Sequence, residues 1–234
     1  MEGTESAKEL AGRHALNEVR SGMTLGLGTG STVRWFLEAL GEALREDRLR
    51  DIRGVPTSVE TEERCRQLRI PLVTLPEAGR IDVAVDGADE VDPSLDLVKG
   101  LGGALLREKM VVQAAERFVV IVDPGKLVRG LGRKAPLPVE VVPFGWEAHL
   151  RFFRGLGSEP ELRRVAGEPF VSDNGNYIVD LSFSNGIPDP EALDRALAHR
   201  AGVVESGLFL GVADRIILGE AGKPKVLDRT GRTP

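Results

Sequence analysis

Three glycines, followed directly by two hydroxyl residues, stand where a short strand-like segment gives way to a helical one. The segment reads Leu25-Gly-Leu-Gly-Thr-Gly-Ser-Thr32. Glycine lets the backbone turn sharply and brings N–H groups close to a ligand. The start of a helix adds unpaired N–H groups and partial positive charge. These features predict an anion site, and phosphate is the anion they favour.

The loop fits neither of the two common nucleotide-binding motifs. A P-loop requires Gly-Lys before Ser or Thr, and this loop contains no lysine. A dinucleotide fingerprint requires Gly or Ala where Ser31 stands, and Pro-Thr-Ser follows Val55 in place of an acidic residue. A small phosphate ester is therefore favoured over a nucleotide. The structural alternative is a tight turn with a serine cap.

An acidic loop, Asp86-Gly-Ala-Asp-Glu-Val-Asp92, follows the strand-like segment 81–85. Ligands of open α/β sheets bind outside the carboxyl ends of strands, and carboxylates there can bind sugar hydroxyls and transfer protons. A metal site is the rival functional interpretation, but the spacing departs from the EF-hand pattern and no histidine flanks it. The structural alternative is a solvated acidic turn.

A second glycine-rich loop, Lys99-Gly-Leu-Gly-Gly-Ala104, opens onto a helical segment that carries Glu108. It is a second candidate site for an anion or a developing oxyanion. Glu108 alone would be a surface acid placed favourably near a helix N-terminus. A third polar turn, Asp123-Pro-Gly-Lys126, follows the apolar run 118–122. Three successive polar strand ends predict a site at one edge of a sheet.

The elements that must position these loops can be located from the spacing of apolar residues, which alternates between strand-like and helical over the first 120 residues. Strand-like segments at 23–27, 52–55, 71–75, 81–85 and 118–122 alternate with helical segments at 7–19, 31–44, 60–68 and 105–116. The alternation predicts an α/β fold, a Rossmann-like, mostly parallel sheet with helices on both faces.

The alternation of strand-like and helical segments changes beyond about residue 130, where a connecting segment rich in glycine and proline, residues 130–138, stands. Strands at 139–142, 162–165 and 177–181 with helices at 146–153 and 190–198 predict a smaller α+β domain of ferredoxin-like type. Segments 207–210 and 215–218 are expected to return to the first sheet. The predicted domains are 1–131 with 207–234, and 132–206.

Composition excludes several classes of protein. The 234 residues carry a net charge of −5, so nucleic acid is not expected as a partner. No run approaches the roughly 18 apolar residues that span a membrane, and the first ten residues lack the apolar segment of a signal peptide. The single cysteine, Cys65, excludes an internal disulfide and favours a cytoplasmic location and a structural role. The three histidines share no metal-ligand spacing.

Taken in order, these motifs resemble the type A ribose-5-phosphate isomerase family. The similarity covers essentially the whole chain and lies in Gly28–Thr32, Asp86–Glu90, Lys99–Ala104, Arg107–Lys109, Lys126 and Gly202–Phe209. The family interconverts ribose 5-phosphate and ribulose 5-phosphate without cofactor or metal, on a Rossmann-like domain with a small α+β domain. The resemblance implies a phosphosugar substrate, no nucleic-acid or membrane partner, and a homodimer or homotetramer.

The resemblance also implies a role for each matching position. Glu108 would be the general base, and Asp86, Asp89 and Lys99 the other catalytic groups. The implied substrate-binding residues are Lys8, Thr29, Gly30, Ser31, Thr32, Asp86, Gly87, Ala88, Asp89, Lys99, Gly100, Leu101, Gly102 and Lys126. Ser31, Thr32 and Lys8 would lie at the phosphate. Leu101 departs from the family, where glycine is frequent, but its backbone N–H is expected to remain available.

Elementary chemistry is consistent with these roles. One carboxylate can carry a proton between C1 and C2 of an aldose through a cis-enediolate, and Lys99 with loop N–H groups can stabilise the developing oxyanion. Two alternatives stay open at this point. A non-catalytic sugar-phosphate sensor would keep the phosphate loop without needing Glu108, and a related phosphosugar lactonase or deaminase would act on other substrates.

Overall fold

The predicted alternation of strand and helix is present in a computed structural model that describes residues 2–220 and 222–229. The α-helices are α1 (Glu2–His14), α2 (Ser31–Arg45), α3 (Val59–Gln67), α4 (Leu75–Ala78), α5 (Leu105–Gln113), α6 (Leu150–Gly155) and α7 (Pro190–Ala198). Short 3-10 helices cover Ala15–Glu18, Pro124–Lys126 and Trp146–His149.

The strands are numbered in chain order. They are β1 (Thr24–Leu27), β2 (Arg53–Pro56), β3 (Val83–Asp86), β4 (Glu90–Val91), β5 (Leu97–Val98), β6 (Phe118–Val122), β7 (Leu137–Val141), β8 (Glu159–Leu162), β9 (Arg164–Val165), β10 (Glu168–Pro169), β11 (Tyr177–Ser182), β12 (Val203–Ser206), β13 (Leu208–Phe209), β14 (Arg215–Leu218) and β15 (Lys225–Asp228).

The chain divides into two compact units. The first contains residues up to Ala88, Arg107–Lys126 and the residues from Val212 onward, and the second contains Asp89–Leu106 and Leu127–Gly211. These units differ from the predicted segments, 1–131 with 207–234 and 132–206, chiefly because residues 89–106 belong with the second unit. As an assignment of folding domains, the predicted boundaries stay a prediction.

The first unit is built on a six-stranded sheet in the order β15-β14-β6-β3-β1-β2. Every neighbouring pair is parallel except β14 with β15. Strands β1, β3 and β6 are buried along their whole length, as expected of parallel strands covered on both faces. The mostly parallel sheet is thus confirmed, and the loops that follow β1, β3 and β6 lie at one edge of it.

Helix α2 shows how the sequence builds the core of this unit. Val33, Phe36, Leu37 and Leu40 recur at helical spacing and are buried among side chains of the sheet. Leu44, which continues the same helical spacing, is only partly buried. Burial of the stripe fixes which side of α2 contacts the sheet, and so fixes where its N-terminus lies.

The second unit contains a four-stranded antiparallel sheet in the order β12-β7-β11-β8. The strands of this sheet and the two helices follow the order β7, α6, β8, β11, α7, β12, with the separate pair β9-β10 inserted between β8 and β11. This is the split βαβ arrangement of ferredoxin-like domains and confirms that prediction. A separate three-stranded sheet has the order β13-β5-β4. This sheet was not predicted, because two-residue strands carry no readable periodicity.

Two expectations about strands are wrong. Within 71–75 only Leu72 pairs, as an isolated bridge to Gly54, because Thr74 and Glu77 form a capping box that starts α4. Segment 207–210 does not return to the first sheet, since β13 pairs with β5 of the second unit. The expectation for 215–218 is correct, because β14 pairs with β6.

Candidate active site

Asp86, the last residue of β3, organises the glycine loop that follows β1. Its carboxylate is 2% exposed, and Oδ1 accepts hydrogen bonds from the N–H groups of Thr29 at 3.1 Å and Gly87 at 2.7 Å. A methyl group at Gly28 would lie 2.2 Å from Asp86 Cγ and Oδ1. Only glycine at position 28 therefore allows the loop to approach this carboxylate so closely. Thr29, Asp86 and Gly87, three of the predicted site residues, lie in direct contact.

The side chain of Thr29 lies in a cluster of hydroxyl groups that the sequence analysis missed. Its Oγ1 is 2.8 Å from Thr57 Oγ1 and from Ser58 Oγ, and 3.1 Å from Thr61 Oγ1. Thr61 in turn donates to the carbonyl of Gly28 at 2.8 Å. The signal in the sequence was the pair Thr57-Ser58 directly after β2. The backbone N–H and the hydroxyl of Thr29 thus both have partners within the first unit. Its contact with substrate stays a prediction.

The N-terminus of α2 directly follows the glycine loop in the chain. Gly30 is its N-cap residue and has no side chain to satisfy the first N–H groups of the helix. Ser31 is exposed, whereas Thr32 is buried. A surface cavity of about 360 Å³ adjoins the loop, lined in part by Gly30, Ser31, Arg34 and Arg64. The helix dipole makes this end of α2 suitable for an anion, whereas the charge of each of these arginines is balanced by an ion pair with a glutamate.

Lys8 lies on α1, where its Nζ forms an ion pair with Glu5 Oε2 at 3.9 Å. Glu5 also accepts hydrogen bonds from Arg34 Nη2 and Trp35 Nε1 of α2. The structure therefore places Lys8 in a group of charged side chains shared by α1 and α2. Its contact with phosphate stays a prediction.

Glu108 stands on α5 and is only 5% exposed. It shares a helix face with Val111, three residues further on, and that face packs on β1, since Val111 Cγ1 lies 2.5 Å from where a methyl group on Gly26 would stand. Glutamate is rarely buried to this extent. The burial argues against the surface-acid alternative and is what a carboxylate with a chemical task would show.

The turn after β6 carries Asp123 and Lys126. Asp123 Oδ1 accepts from the N–H of Gly125 at 2.8 Å, and its carbonyl accepts from the N–H of Lys126 at 3.1 Å. These bonds form one turn of 3-10 helix that fixes the backbone of Lys126, whose side chain is half-buried. Its substrate contact stays a prediction.

In the second unit, Asp89 and the loop after β5 contact each other. Asp89 Oδ2 accepts from the N–H of Leu101 at 2.9 Å, so the expectation that this N–H remains available is wrong. Lys99 is 2% exposed, and its Nζ lies 5.4 Å from the centroid of the Phe209 ring. Gly100 is buried, while Leu101 and Gly102 are exposed. The loop is thus a firmly held backbone segment with an exposed tip.

The other two acids of the acidic loop have structural roles that the sequence did not reveal. The fully buried carboxylate of Glu90 accepts hydrogen bonds from the N–H groups of Gly132, Lys134 and Ala135. Asp92 Oδ1 accepts from the N–H groups of Ser94 and Asp96 at 2.9 Å. Glu90 thus anchors the connecting segment rich in glycine and proline. These structural roles explain why so many acids occur in one short segment. Ala88, another predicted site residue of this loop, is also buried.

Residues 2–220 and 222–229 contain neither a candidate metal centre nor a candidate membrane-spanning helix. No group of three or more His, Cys, Asp or Glu side chains in these ranges is arranged to hold a metal ion. No helix in the same part of the chain is long and apolar enough to cross a membrane.

Comparison with known proteins gives consistent matches. The profile of the family described as ribose 5-phosphate isomerase A (phosphoriboisomerase A) matches residues 53–223. Ribose-5-phosphate isomerase A of Thermosynechococcus vestitus is 45% identical over 229 residues, which cover 96% of this chain and 97% of the relative.

Two solved structures are similar along nearly the whole chain. A D-ribose-5-phosphate isomerase in complex with phospho-erythronic acid has a TM-score of 0.94 and 41% identity, covering 97% of this chain and 99% of the other. Ribose 5-phosphate isomerase from Plasmodium falciparum has a TM-score of 0.94 and 37% identity, covering 97% and 100%.

Proposed function

This chain belongs to the ribose 5-phosphate isomerase A family and isomerises ribose 5-phosphate, and from this premise we propose that Glu108 is the general base of the reaction. The observation that carries the proposal is the near-complete burial of this carboxylate on α5. Burial removes water that would compete for the proton and strengthens each electrostatic interaction around it.

The proposed reaction moves one proton between adjacent carbons. Glu108 takes the proton from C2 of the open-chain aldose, the C–H electron pair forms a C1–C2 double bond, and the C1 carbonyl oxygen takes up the negative charge. A proton then passes from O2 to O1, and Glu108 returns its proton to C1. The product is ribulose 5-phosphate, and base and substrate atoms balance without a further reactant.

The remaining residues bind the substrate or carry charge in this proposal. The N-terminus of α2, with Ser31 and Thr32, holds the phosphate, so that binding energy far from the reacting carbons orients them. Lys99 stabilises the negative oxygen of the enediolate. Asp86 and Asp89 assist ring opening and proton transfer between O1 and O2, and the backbone N–H bonds that they accept hold them in place.

Replacing Glu108 by glutamine tests the assignment. The amide keeps the shape of the side chain but cannot take a proton, so turnover of ribose 5-phosphate should fall by about 10²- to 10⁴-fold. Glu116→Gln is the matched control, because Glu116 is an exposed acid just after α5 that pairs with Arg80. Circular dichroism and a thermal melt check the fold of both variants.

Turnover of the Glu108→Gln variant close to that of the Glu116→Gln control would remove Glu108 from the role of base. Calorimetric titration with substrate then shows whether binding persists. Binding without turnover in the variant supports a chemical role for Glu108, whereas loss of both assigns it to substrate binding and contradicts the proposal.

We also propose a homodimer or homotetramer located in the cytoplasm, without a nucleic-acid partner. The family membership supports the oligomer, and the net charge of −5 supports the absence of nucleic acid. Light scattering coupled to gel filtration measures the assembly state, and cell fractionation measures the location. A monomeric mass across the micromolar range would contradict the first of these proposals.

A further inference from the structure

Arg163, between β8 and β9 in the second unit, contacts the backbone of the loop that follows β5. Its guanidinium Nη1 donates to the carbonyl oxygens of Gly100 at 3.0 Å and Leu101 at 2.9 Å. Nε donates to Asp180 Oδ2 at 2.8 Å, and Nη2 donates to Asp180 Oδ1. The side chain is only 12% exposed. One planar group therefore joins a carboxylate to two successive peptide carbonyls.

These bonds fix the orientation of two successive peptide groups. In a trans peptide the carbonyl and the N–H point in opposite directions. The peptide between Gly100 and Leu101 is held at both ends, because its carbonyl bonds Arg163 and its N–H bonds Asp89. The next peptide is held at its Leu101 carbonyl, which directs the N–H of Gly102 away from Arg163. A backbone donor at the exposed tip of the loop thereby has a set direction.

Phe170 supports the same arrangement from another side. Its ring lies where a side chain at Gly103 would stand, 2.4 Å from the position of an added methyl group, and Gly103 has a positive φ of 82° that favours glycine. The guanidinium carbon of Arg163 lies 5.7 Å from the centroid of the Phe170 ring. The N–H of Phe170 also donates to the Arg163 carbonyl at 2.9 Å. Arg163 is thus packed as well as hydrogen-bonded.

We propose that Arg163, braced by Asp180, is a positioning residue that holds the Lys99–Gly102 loop in the conformation that binds substrate. The proposal rests on the proposed function, because that function makes the loop a binding element. Arg163 acts through the backbone of residues 100–102 and takes no part in bond making or breaking. Donors fixed in direction before the substrate arrives cost no reorganisation during the reaction.

Arg163→Lys is the discriminating variant. Lysine keeps the charge and can pair with Asp180, but a single ammonium group cannot also reproduce the forked contacts to both carbonyls. We expect kcat/KM for ribose 5-phosphate to fall about 10- to 100-fold, since small errors of position in a binding site have effects of this size. Arg164→Lys is the matched control, because Arg164 is exposed and its guanidinium donates to the carbonyl of Gly167, which lies outside the Lys99–Gly102 loop.

Hydrogen exchange of backbone amides, read by mass spectrometry, gives a second measurement that does not depend on activity. Peptides covering 99–103 should exchange faster in Arg163→Lys than in Arg164→Lys or the wild type. Unchanged exchange in this loop, or a kcat/KM equal to that of the control, overturns the proposal. So does a lowered thermal midpoint with wild-type kcat/KM in the folded protein, which is the result of a purely structural role.

Asp180→Asn keeps the proposal testable if Arg163→Lys fails to fold. The amide keeps the size of the side chain but releases one arm of the guanidinium, so the same two measurements should change in the same direction and by less. The result for the Arg163 variants can be interpreted independently of whether Glu108 is the general base. A Glu108→Gln variant with full turnover would contradict the proposed function while leaving loop exchange in the Arg163 variants as a valid test.

Discussion

Glu108, Lys99 and Asp86 are ionisable side chains of kinds that proteins rarely bury, and none is more than 5% exposed. Burial of a charged group costs free energy unless neighbouring dipoles replace the lost water. Asp86 shows such a replacement, since its Oδ1 accepts two backbone N–H bonds. At the scale of single residues, backbone N–H groups therefore hold in place one of the charges that the proposed reaction uses, the carboxylate of Asp86.

Cys65 provides the clearest prediction at this scale. It is fully buried among the apolar side chains of the first unit, and burial raises the pKa of its thiol to about 12. The thiolate, which is the reactive form, is therefore almost absent at pH 8. We expect a thiol reagent to label the denatured protein quickly and the native protein only at the rate of unfolding. Fast labelling of the native protein would contradict this structural role.

At the scale of elements, sequence patterns located the long and regular segments, missed the short strands β4 and β5, and gave β13 the wrong partner. The observed bounds of β6, α7 and β14 are those predicted, because an apolar run or a capped amphipathic stripe marks each of them. β4, β5 and β13 have two residues each, and the pairing of Leu208 with Val98 joins distant parts of the chain. No local pattern carries such information.

The same division applies to the candidate site. Glycines, acids and lysines at strand ends identified the loops, because those residue types carry the chemistry. Which atoms hold each loop was not readable, since the contacts of Asp86 with Thr29 and of Arg163 with Leu101 join residues more than 50 positions apart. Tertiary contacts of this kind link Arg163 and Thr61 to the backbone of the two glycine-rich loops.

The close packing of Asp86 on the glycine loop gives a prediction about the β1–α2 connection. In Gly28→Ala the added methyl group would meet the Asp86 carboxylate, so the loop or Asp86 must shift. We expect the free energy of unfolding to fall by about 1–3 kcal/mol, with a loss of turnover. Urea denaturation and a turnover assay measure the two effects.

Gly155→Ala is the control for this substitution. Gly155 ends α6, and nothing lies within 4 Å of an added methyl group there, so its unfolding free energy should stay near that of the wild type. Equal stability and equal turnover in the two variants would show that the glycine loop tolerates the methyl group.

At the scale of the whole molecule, stability should depend on pH through His149. The residue is buried, and Arg200 Nε donates to its Nδ1 at 3.3 Å. Burial, together with the positive charge of Arg200, lowers the pKa of His149 below its ordinary value. The unfolded chain therefore binds this proton more readily than the folded one. As pH falls through about 6.5, the free energy of unfolding should decrease, whereas above that pH the residue is neutral in both states.

Comparison with a His149→Gln variant isolates this contribution. Between pH 7.5 and 5.5, the unfolding free energy of the wild type should fall more steeply than that of the variant. His199→Gln, which alters an exposed histidine, should keep the steep wild-type slope. Identical slopes in the wild type and His149→Gln would exclude His149 as the source of the pH dependence.

Strand β14 pairs with β6, although residues 127–211 lie between them in the chain. During translation, β6 therefore leaves the ribosome several seconds before its partner, at about 5–20 residues per second. Until β14 arrives, the nascent chain presents Phe-Val-Val-Ile-Val at an open sheet edge, and such an edge can pair with other chains. The interrupted order of the first unit therefore leaves this apolar edge open for longer than an uninterrupted unit of the same topology would.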